Sequence, residues 1–389
     1  MKRRNKSWLI AALVALSAVM VLTGCSLSQV LSLTIVDYPA TTYEVGTTPD
    51  IEFTVAAEMD NGDTKTLTYN EYSSVLKLSG FSTEKVGSFT ATVTYRNVSA
   101  TFDYEVVAKS SDFAGGVGTE SNPYMVNNLD QFKNIVKSKY AGSYFRLGAD
   151  IDFTGVEFDP ETSSYFPAFK GTLDGNGHKL YNISNQTGGE AVFFDSATDS
   201  TFKNLDVYTE GYCVFVFVVY GNTSFENVDR YGDVYLDYEQ YNYGSFLYWN
   251  YANLTMTDCN NHVNVTGNTQ YSGGFIGFPS IGAGTSLTMT RCNNYGRITG
   301  TLAAAFFSNG ATGYLNEVVM EDCVNYGEIV GTDVNVYCAV SMPDESAKFG
   351  DYINIDENCT NEGTLTQLKQ EGYTVSKDAL NAINNALRA

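Results

Sequence analysis

The sequence predicts an all-β chain whose larger part is a right-handed parallel β-helix with short capping helices, and three observations predict it. First, one short phrase is written five times: TSFENVDRYGDV from Thr223, LTMTDCNNHVNV from Leu254, LTMTRCNNYGRI from Leu287, VVMEDCVNYGEI from Val318 and INIDENCTNEGTL from Ile353. Second, aligning the copies stacks Val228, Cys259, Cys292, Cys323 and Cys359 in one column, and Arg230, Asn261, Asn294, Asn325 and Asn361 in another. Third, apolar residues within a copy alternate at the strand period, as at Leu287 and Met289, with no helical period. Self-similarity at such a period means a repeat architecture, in which each unit buries its apolar face only against its neighbours.

Parallel strands stacked about 4.8 Å apart place each Cys over the next, and each Asn likewise. A thiol is small and apolar enough for an inward column, and Asn tolerates a left-handed turn and hydrogen-bonds along a stack. The steps from 228 to 259, 292, 323 and 359 are 31, 33, 31 and 36 residues, and the last copy carries one extra residue before its Cys. His262 occupies the column of Tyr231, Tyr295 and Tyr326, so it reads as a repeat position.

Taken in order, residues 1–24 read as a signal peptide, with a basic start, an apolar run from Trp8 to Leu22 and small residues before Cys25. The run is too short to span a bilayer comfortably. Leu22-Thr23-Gly24-Cys25 resembles the lipobox of bacterial lipoproteins, which implies cleavage before Cys25 and acylation of it. Several acyl chains hold more firmly than one, so the expected location is the cell surface, with residues 25–30 as a lipidated tether. Cleavage removes Lys2, Arg3, Arg4 and Lys6 and no acid, so 23 basic and 44 acidic residues become 19 and 44, and the net charge goes from −21 to −25. That balance excludes nucleic acid as a partner and disfavours anionic polysaccharides.

Residues 31–108 alternate in the β manner, and Asn61-Gly62-Asp63 between two such runs is a hairpin signal. The order TYEVGTTPDIEFTVAAEMDNGDTKTLT, then LSGFSTEKVGSFTATVTYRNVSATFDYEV, resembles a group 3 bacterial immunoglobulin-like domain, which implies a β-sandwich acting as a spacer. Residues 109–127 form a linker and lead-in to the β-helix, which is placed at 128–375. Leu129, Phe132, Ile135 and Val136 fall on one face at helical spacing, so a helix over Asn128–Tyr140 is expected to cap its open end. Ser376 is a plausible N-cap for a C-terminal helix over 376–389, with Leu380, Ile383 and Leu387 on one face.

The phrases FAGGVGTESNPYMVNNLDQF (from Phe113), YFRLGADIDFTG (from Tyr144) and FKGTLDGNGHKLYNIS (from Phe169) resemble bacterial surface β-helix proteins with GLUG-type repeats. YGSFLYW (from Tyr243) and SGGFIGF (from Ser272) look like degenerate copies of the GLUG core, from which AAAFF (Ala303–Phe307) departs. The resemblance implies a fold and leaves activity open, since such β-helices serve adhesins, protease accessory regions and polysaccharide-active enzymes alike.

Candidate chemistry is sparse. Asp174-Gly-Asn-Gly-His178 is similar to phrases in polygalacturonase-like β-helices, but it also makes a tight turn, and the further paired acids and GHG phrase of that family are missing. Asp150 with Asp152, and Glu157 with Asp159, are spaced to share a strand face, yet in so acidic a chain they read as a solvated edge. Arg291 and Arg297 are, with Arg230, the basic residues of the repeat columns and pair with nothing obvious. Besides Cys25 there are six Cys and no CxxC, so the column thiols are expected to be free and buried, and neither metal nor cofactor is expected. Nucleotide-binding, serine or cysteine catalytic and zinc motifs are absent. Tyr231–Tyr251 is dense in aromatics, and Tyr235, Tyr238, Tyr241, Tyr243, Tyr248 and Trp249 are expected to form an exposed platform. Such rings suit a glycan or a host or matrix protein, because they combine contact area with a polar tip. The expected function is a lipid-anchored, non-catalytic adhesin-like or glycan-binding protein; the alternatives are a polysaccharide-active enzyme and a purely structural spacer.

Overall fold

The computed structural model describes residues 28–109, 112–159, 164–184, 191–236, 242–267, 271–278, 285–308, 317–339 and 353–368. The signal segment, Cys25, Tyr238, Tyr241 and the expected helix at 376–389 lie outside them. The chain divides into two compact units, Met1–Ala108 and Lys109–Ala389.

In the first unit seven strands form two sheets: β1 (Val30–Asp37), β2 (Thr42–Glu44), β3 (Thr54–Met59), β4 (Thr64–Thr68), β5 (Lys77–Ser79), β6 (Gly87–Tyr95) and β7 (Val98–Val107). One sheet has the order β1-β3-β4 and the other β2-β7-β6-β5, with only β2 parallel to its neighbour. Alternation decides the faces: Ala91, Val93 and Tyr95 of β6 point inward with Phe53, Val55, Leu67 and Tyr104, while Thr90, Thr92 and Thr94 point away. Asn61-Gly62-Asp63 makes the β3–β4 turn, with Gly62 at φ 86° and the Asn61 side-chain oxygen accepting from the Asp63 amide at 3.1 Å. Arg96 and Asn97, at φ 48° and 75°, make the two-residue turn of the β6–β7 hairpin.

The second unit is a parallel β-helix: among the described residues it forms a continuous 25-stranded sheet whose strand pairs are parallel. The later rungs repeat the phrase read in the sequence. Leu254 pairs with Leu287 and Met256 with Met289, and these in turn pair with Val318 and Met320. All six are buried, so the core is a set of apolar columns running along the coil. Phe194, Phe202, Phe215 and Phe225 fill the earlier rungs, and Phe246 stacks on Phe275.

Two further columns shape the bend that follows each of these strands. Asn176, Asn204, Asn227, Asp258, Arg291 and Asp322 all sit at φ between 52° and 54°. Asn and Asp tolerate that region best, and Arg291 is held there while its guanidinium pairs with Asp258 at 2.6 Å. The fifth copy spends its extra residue at this corner, where Asp356 accepts from the Asn358 amide at 2.6 Å. One position later come the thiols: Cys259, Cys292, Cys323 and Cys359 are all buried and free.

The Asn column is a continuous chain of side-chain amides. Asn261 donates to Asn294 at 2.7 Å, Asn294 to Asn325 at 2.8 Å and Asn325 to Asn361 at 2.7 Å. Each amide also donates to the carbonyl two residues on, at Val263, Gly296, Gly327 and Gly363. Three of the four are fully buried and Asn361, on the last described rung, is exposed. Arg230 heads the column, opposite Asn261. It is fully buried and makes no ion pair among the described residues. Instead it donates to the carbonyls of Ser245, Val207 and Cys213 and to the Thr209 hydroxyl, with its guanidinium 5.5 Å from the Phe215 ring centre. A buried charge is tolerated only when its donors are filled, and here carbonyl dipoles fill them. Its length suits its place: the step from the preceding column residue, Val207, is 23 residues and the next, to Asn261, is 31, so the coil widens at Arg230.

The expected cap helix is shorter than its pattern predicts. A single turn spans Leu129–Phe132, N-capped by Asn128, whose side chain accepts from Gln131 at 3.0 Å, and a 3₁₀ turn spans Ser138–Tyr140. β-branched Ile135 and Val136 followed by Ser138 carry little helix propensity, and burial dominates. Phe132 and Ile135 reach the β-helix core, with Leu129 and Val136 packed at its edge. The segment is tied down through Asp112, which accepts from Lys139 at 2.6 Å and Tyr140 at 2.8 Å.

Candidate functional site

The sheet face after the bend carries three outward columns, because every second residue points away from the core. The middle column is aromatic. Tyr208 stacks on Tyr231 with ring centres 4.5 Å apart, Tyr231 on His262 at 4.6 Å, His262 on Tyr295 at 4.6 Å and Tyr295 on Tyr326 at 4.9 Å, all within 8° of parallel. The strand spacing itself sets this separation, so five rings form a straight stripe along the coil axis. Their faces cover one another, and what reaches solvent is a line of ring edges and hydroxyls: Tyr208 is 37% exposed, Tyr295 45% and Tyr326 47%.

Carboxylates and amides flank the stripe. On one side Asp206 lies opposite Asp229, and Asp229 opposite Asn260. Asn260 donates to Asp229 at 2.8 Å and Asn293 to Asn260 at 3.0 Å, while the Tyr231 hydroxyl donates to Asp229 at 3.3 Å. On the other side Asn264 donates to Asp233 at 2.8 Å, and Arg297 pairs with Glu328 at 2.9 Å. Partial burial and the neighbouring Asp229 charge push the Asp206 carboxyl above its ordinary range. Burial, then the carboxylate of Asp229, raises the Tyr231 hydroxyl far above that of free tyrosine. Burial lowers the His262 imidazole against the pull of both acids, so the ring is neutral at neutral pH. At the N-terminal end Lys179 lies over Tyr181 at 5.1 Å and Tyr208 at 5.8 Å, beside Asp150, which accepts from His178 at 3.1 Å. Burial works to raise the Asp150 carboxyl, but the hydrogen bonds from His178 and Lys179 leave it below the ordinary value.

The six aromatics expected to make one platform are not brought together. Tyr235 is 67% exposed, on the same strand face as Tyr231. Tyr248 and Trp249 belong to the strand Leu247–Thr257, where they are half-buried in a separate cluster with Phe217 and Tyr251. Tyr243 contradicts the expectation: it is fully buried. It stands in an inward column with Ser272 and Ala303, and its ring packs edge-on against Tyr212 at 5.6 Å. Aromatic density alone therefore misplaced the exposed surface. The signal that finds the stripe is the alignment column Tyr231, His262, Tyr295 and Tyr326.

The other motifs are structural in place. Asp174 accepts from Arg146, Asn204 and the Asn176 amide, and Asn176 takes the left-handed bend of the DGNGH turn. Asp152 accepts from Asn182 and Thr154. Among the described residues no group of three or more His, Cys, Asp or Glu side chains is arranged to hold a metal ion, and no helix is long and apolar enough to cross a membrane.

In fold, the chain is an all-β protein whose larger unit is a parallel β-helix with an aromatic stripe on one face. No family model matches it. Over 92 residues it is 34% identical to a Gly-rich membrane protein, so named provisionally, of Evansella cellulosilytica, covering 22% of this chain and 10% of that protein. Over 148 residues it is 30% identical to halomucin of Haloquadratum walsbyi, covering 34% of this chain and 2% of that one. The chain thus spans a small fraction of the curated relatives it matches. A crystal structure from Bacteroides ovatus, provisionally described as an immunoglobulin A1 protease, superposes with a TM-score of 0.48 at 20% identity, covering 68% of this chain and 84% of that one.

Proposed function

We propose that this is an exported, surface-associated binding protein, anchored through acyl chains on Cys25, in which an immunoglobulin-like stalk carries a GLUG-like β-helix that engages an extracellular ligand without chemistry. The observation that carries the reading is the stripe from Tyr208 to Tyr326 between columns of carboxylates and amides. Phenol hydroxyls, imidazole, amides and carboxylates in regular rows match the hydroxyls of an uncharged glycan lying along the coil, and the acidic surface disfavours anionic ones. The lipobox-like Leu22–Cys25 supports the anchoring, and one curated relative is named as a membrane protein.

The test is a screen of the soluble chain, residues 26–389, against neutral glycans and matrix proteins. Binding that falls at least tenfold in Tyr295→Ala/Tyr326→Ala, with Tyr248→Ala/Trp249→Ala unchanged, supports the stripe. Undiminished binding in the first variant overturns it. One observation favours hydrolysis as a second reading: Asp206 and Asp229 face outward on adjacent strands, roughly one rung of about 4.8 Å apart. Retaining glycosidases place their two carboxyl groups at about 5–5.5 Å, one of them with a raised pKa. Release of reducing ends from a bound glycan, abolished by Asp206→Asn, would select it.

A further inference from the structure

We propose that Cys323 and Cys359 are an oxidative cross-linking site that ties the last described rung of the β-helix to the rung before it. The four column thiols look equivalent in the sequence, and the structure separates them. Cys292 and Cys323 donate their S–H to carbonyls one rung back, at Met256 and Met289, each at 3.5 Å. The Cys359 sulfur accepts from the Cys323 backbone amide at 3.3 Å, so it sits directly against its neighbour's main chain, and contacts between thiols continue down the column through Cys292 to Cys259.

The backbones are in register around the pair: Val324 lies opposite Thr360 and Asn325 opposite Asn361. A rung of about 4.8 Å falls inside the Cα separation of roughly 4.4–6.8 Å that a disulfide spans. Access singles out the same pair. Cys359 is 8% exposed, whereas Cys259, Cys292 and Cys323 are fully buried. The reaction is thiol–disulfide exchange with a low-molecular-weight disulfide. The Cys359 thiolate attacks it and expels one small thiol, and the Cys323 thiolate then attacks the mixed disulfide and expels the second. The Sγ–Sγ bond forms, both protein thiols give up their protons, and the reagent is reduced to two thiols.

Hydrogen bonding to Cys323, then burial, holds the Cys359 thiol far above the ordinary thiol range, so attack from the closed rung is slow. Oxidation therefore proceeds through openings of this rung and quickens with pH. Where in the cell it happens rests on the export reading above; the chemistry does not.

The experiment uses reduced residues 26–389 with oxidised glutathione, followed by alkylation in denaturant and peptide mapping. The expected result is one linked peptide pair joining Cys323 to Cys359, with Cys259 and Cys292 alkylated. Hydrogen exchange across residues 353–368 should then slow severalfold relative to the reduced protein. Cys359→Ser should abolish the link and Cys292→Ser should keep it. Pairing of Cys359 with Cys338 or Cys292, a terminal glutathione adduct, or full alkylation of Cys323 and Cys359 overturns the proposal. Mapping the wild-type chain decides this even if a serine variant fails to fold.

Discussion

A buried side-chain amide is stabilising only while all its partners are present. Asn294 donates both of its N–H groups and accepts from Asn261, in a fully buried position. Asn294→Ala therefore orphans a donor of Asn261, at about 1–3 kcal/mol, and leaves the Asn325 oxygen with the Gly327 amide alone. Asn361→Ala acts at the exposed end of the same chain, where water replaces the lost partner, and should cost about 1 kcal/mol or less. Chemical denaturation of the two variants checks this, and equal losses would contradict an intact buried amide chain. Backbone contact sets a second residue-scale limit. A Cβ on Gly327 would meet the carbonyl of Gly296 on the rung below, so Gly327→Ala should destabilise, although nothing about its φ demands glycine. By contrast Asp258–Arg291, an ion pair with both side chains about half exposed, is expected to contribute under about 1 kcal/mol.

Each strand of the β-helix has two faces with different tolerances. Met289 lies in a fully buried column between Met256 and Met320, so Met289→Ala should cost about 2–5 kcal/mol. Thr288, one residue away and half-buried, should tolerate Ala within about 0.5 kcal/mol. Thermal midpoints of the pair test the alternation directly, and matching losses would mean the register is wrong. The alternation was legible for the repeats, where five copies average out accidents, and the columns of Cys and Asn needed little more than alignment. It misled at Tyr243, because a single aromatic-rich stretch offers no columns from which to tell inside from outside. The cap at Leu129–Phe132 misled for another reason: four apolar residues at helical spacing are also what an irregular plug requires.

At the scale of the molecule, charge and pH act on all rungs together. Asp112, Asp150, Asp152, Asp174, Asp199 and Asp258 have carboxyl pKa values held below 3.8, and Asp206 has one held above it. For a depressed carboxyl the stabilisation is present above the unfolded value and is lost as pH falls through the folded one. Asp206 has the opposite sign, gaining stability as it protonates, but it is outnumbered. Stability should therefore fall as pH drops below about 4, which an acid titration followed by circular dichroism would show; a midpoint that rises on acidification would contradict it. A net charge of −21 also implies self-repulsion, so moderate salt should raise the melting temperature more than the loss of exposed ion pairs lowers it.

The sequence by itself determined the coil: its period, its inward thiols and amides, and the bends between strands follow from residue types repeated at fixed intervals, because stacking copies any local preference into a column. What tertiary structure alone decided is which aromatics face water, how Arg230 is housed without an acid, and which of four similar thiols reaches the surface. Those depend on the width of each rung and on packing between distant segments, and such long-range geometry leaves no local signature in the chain.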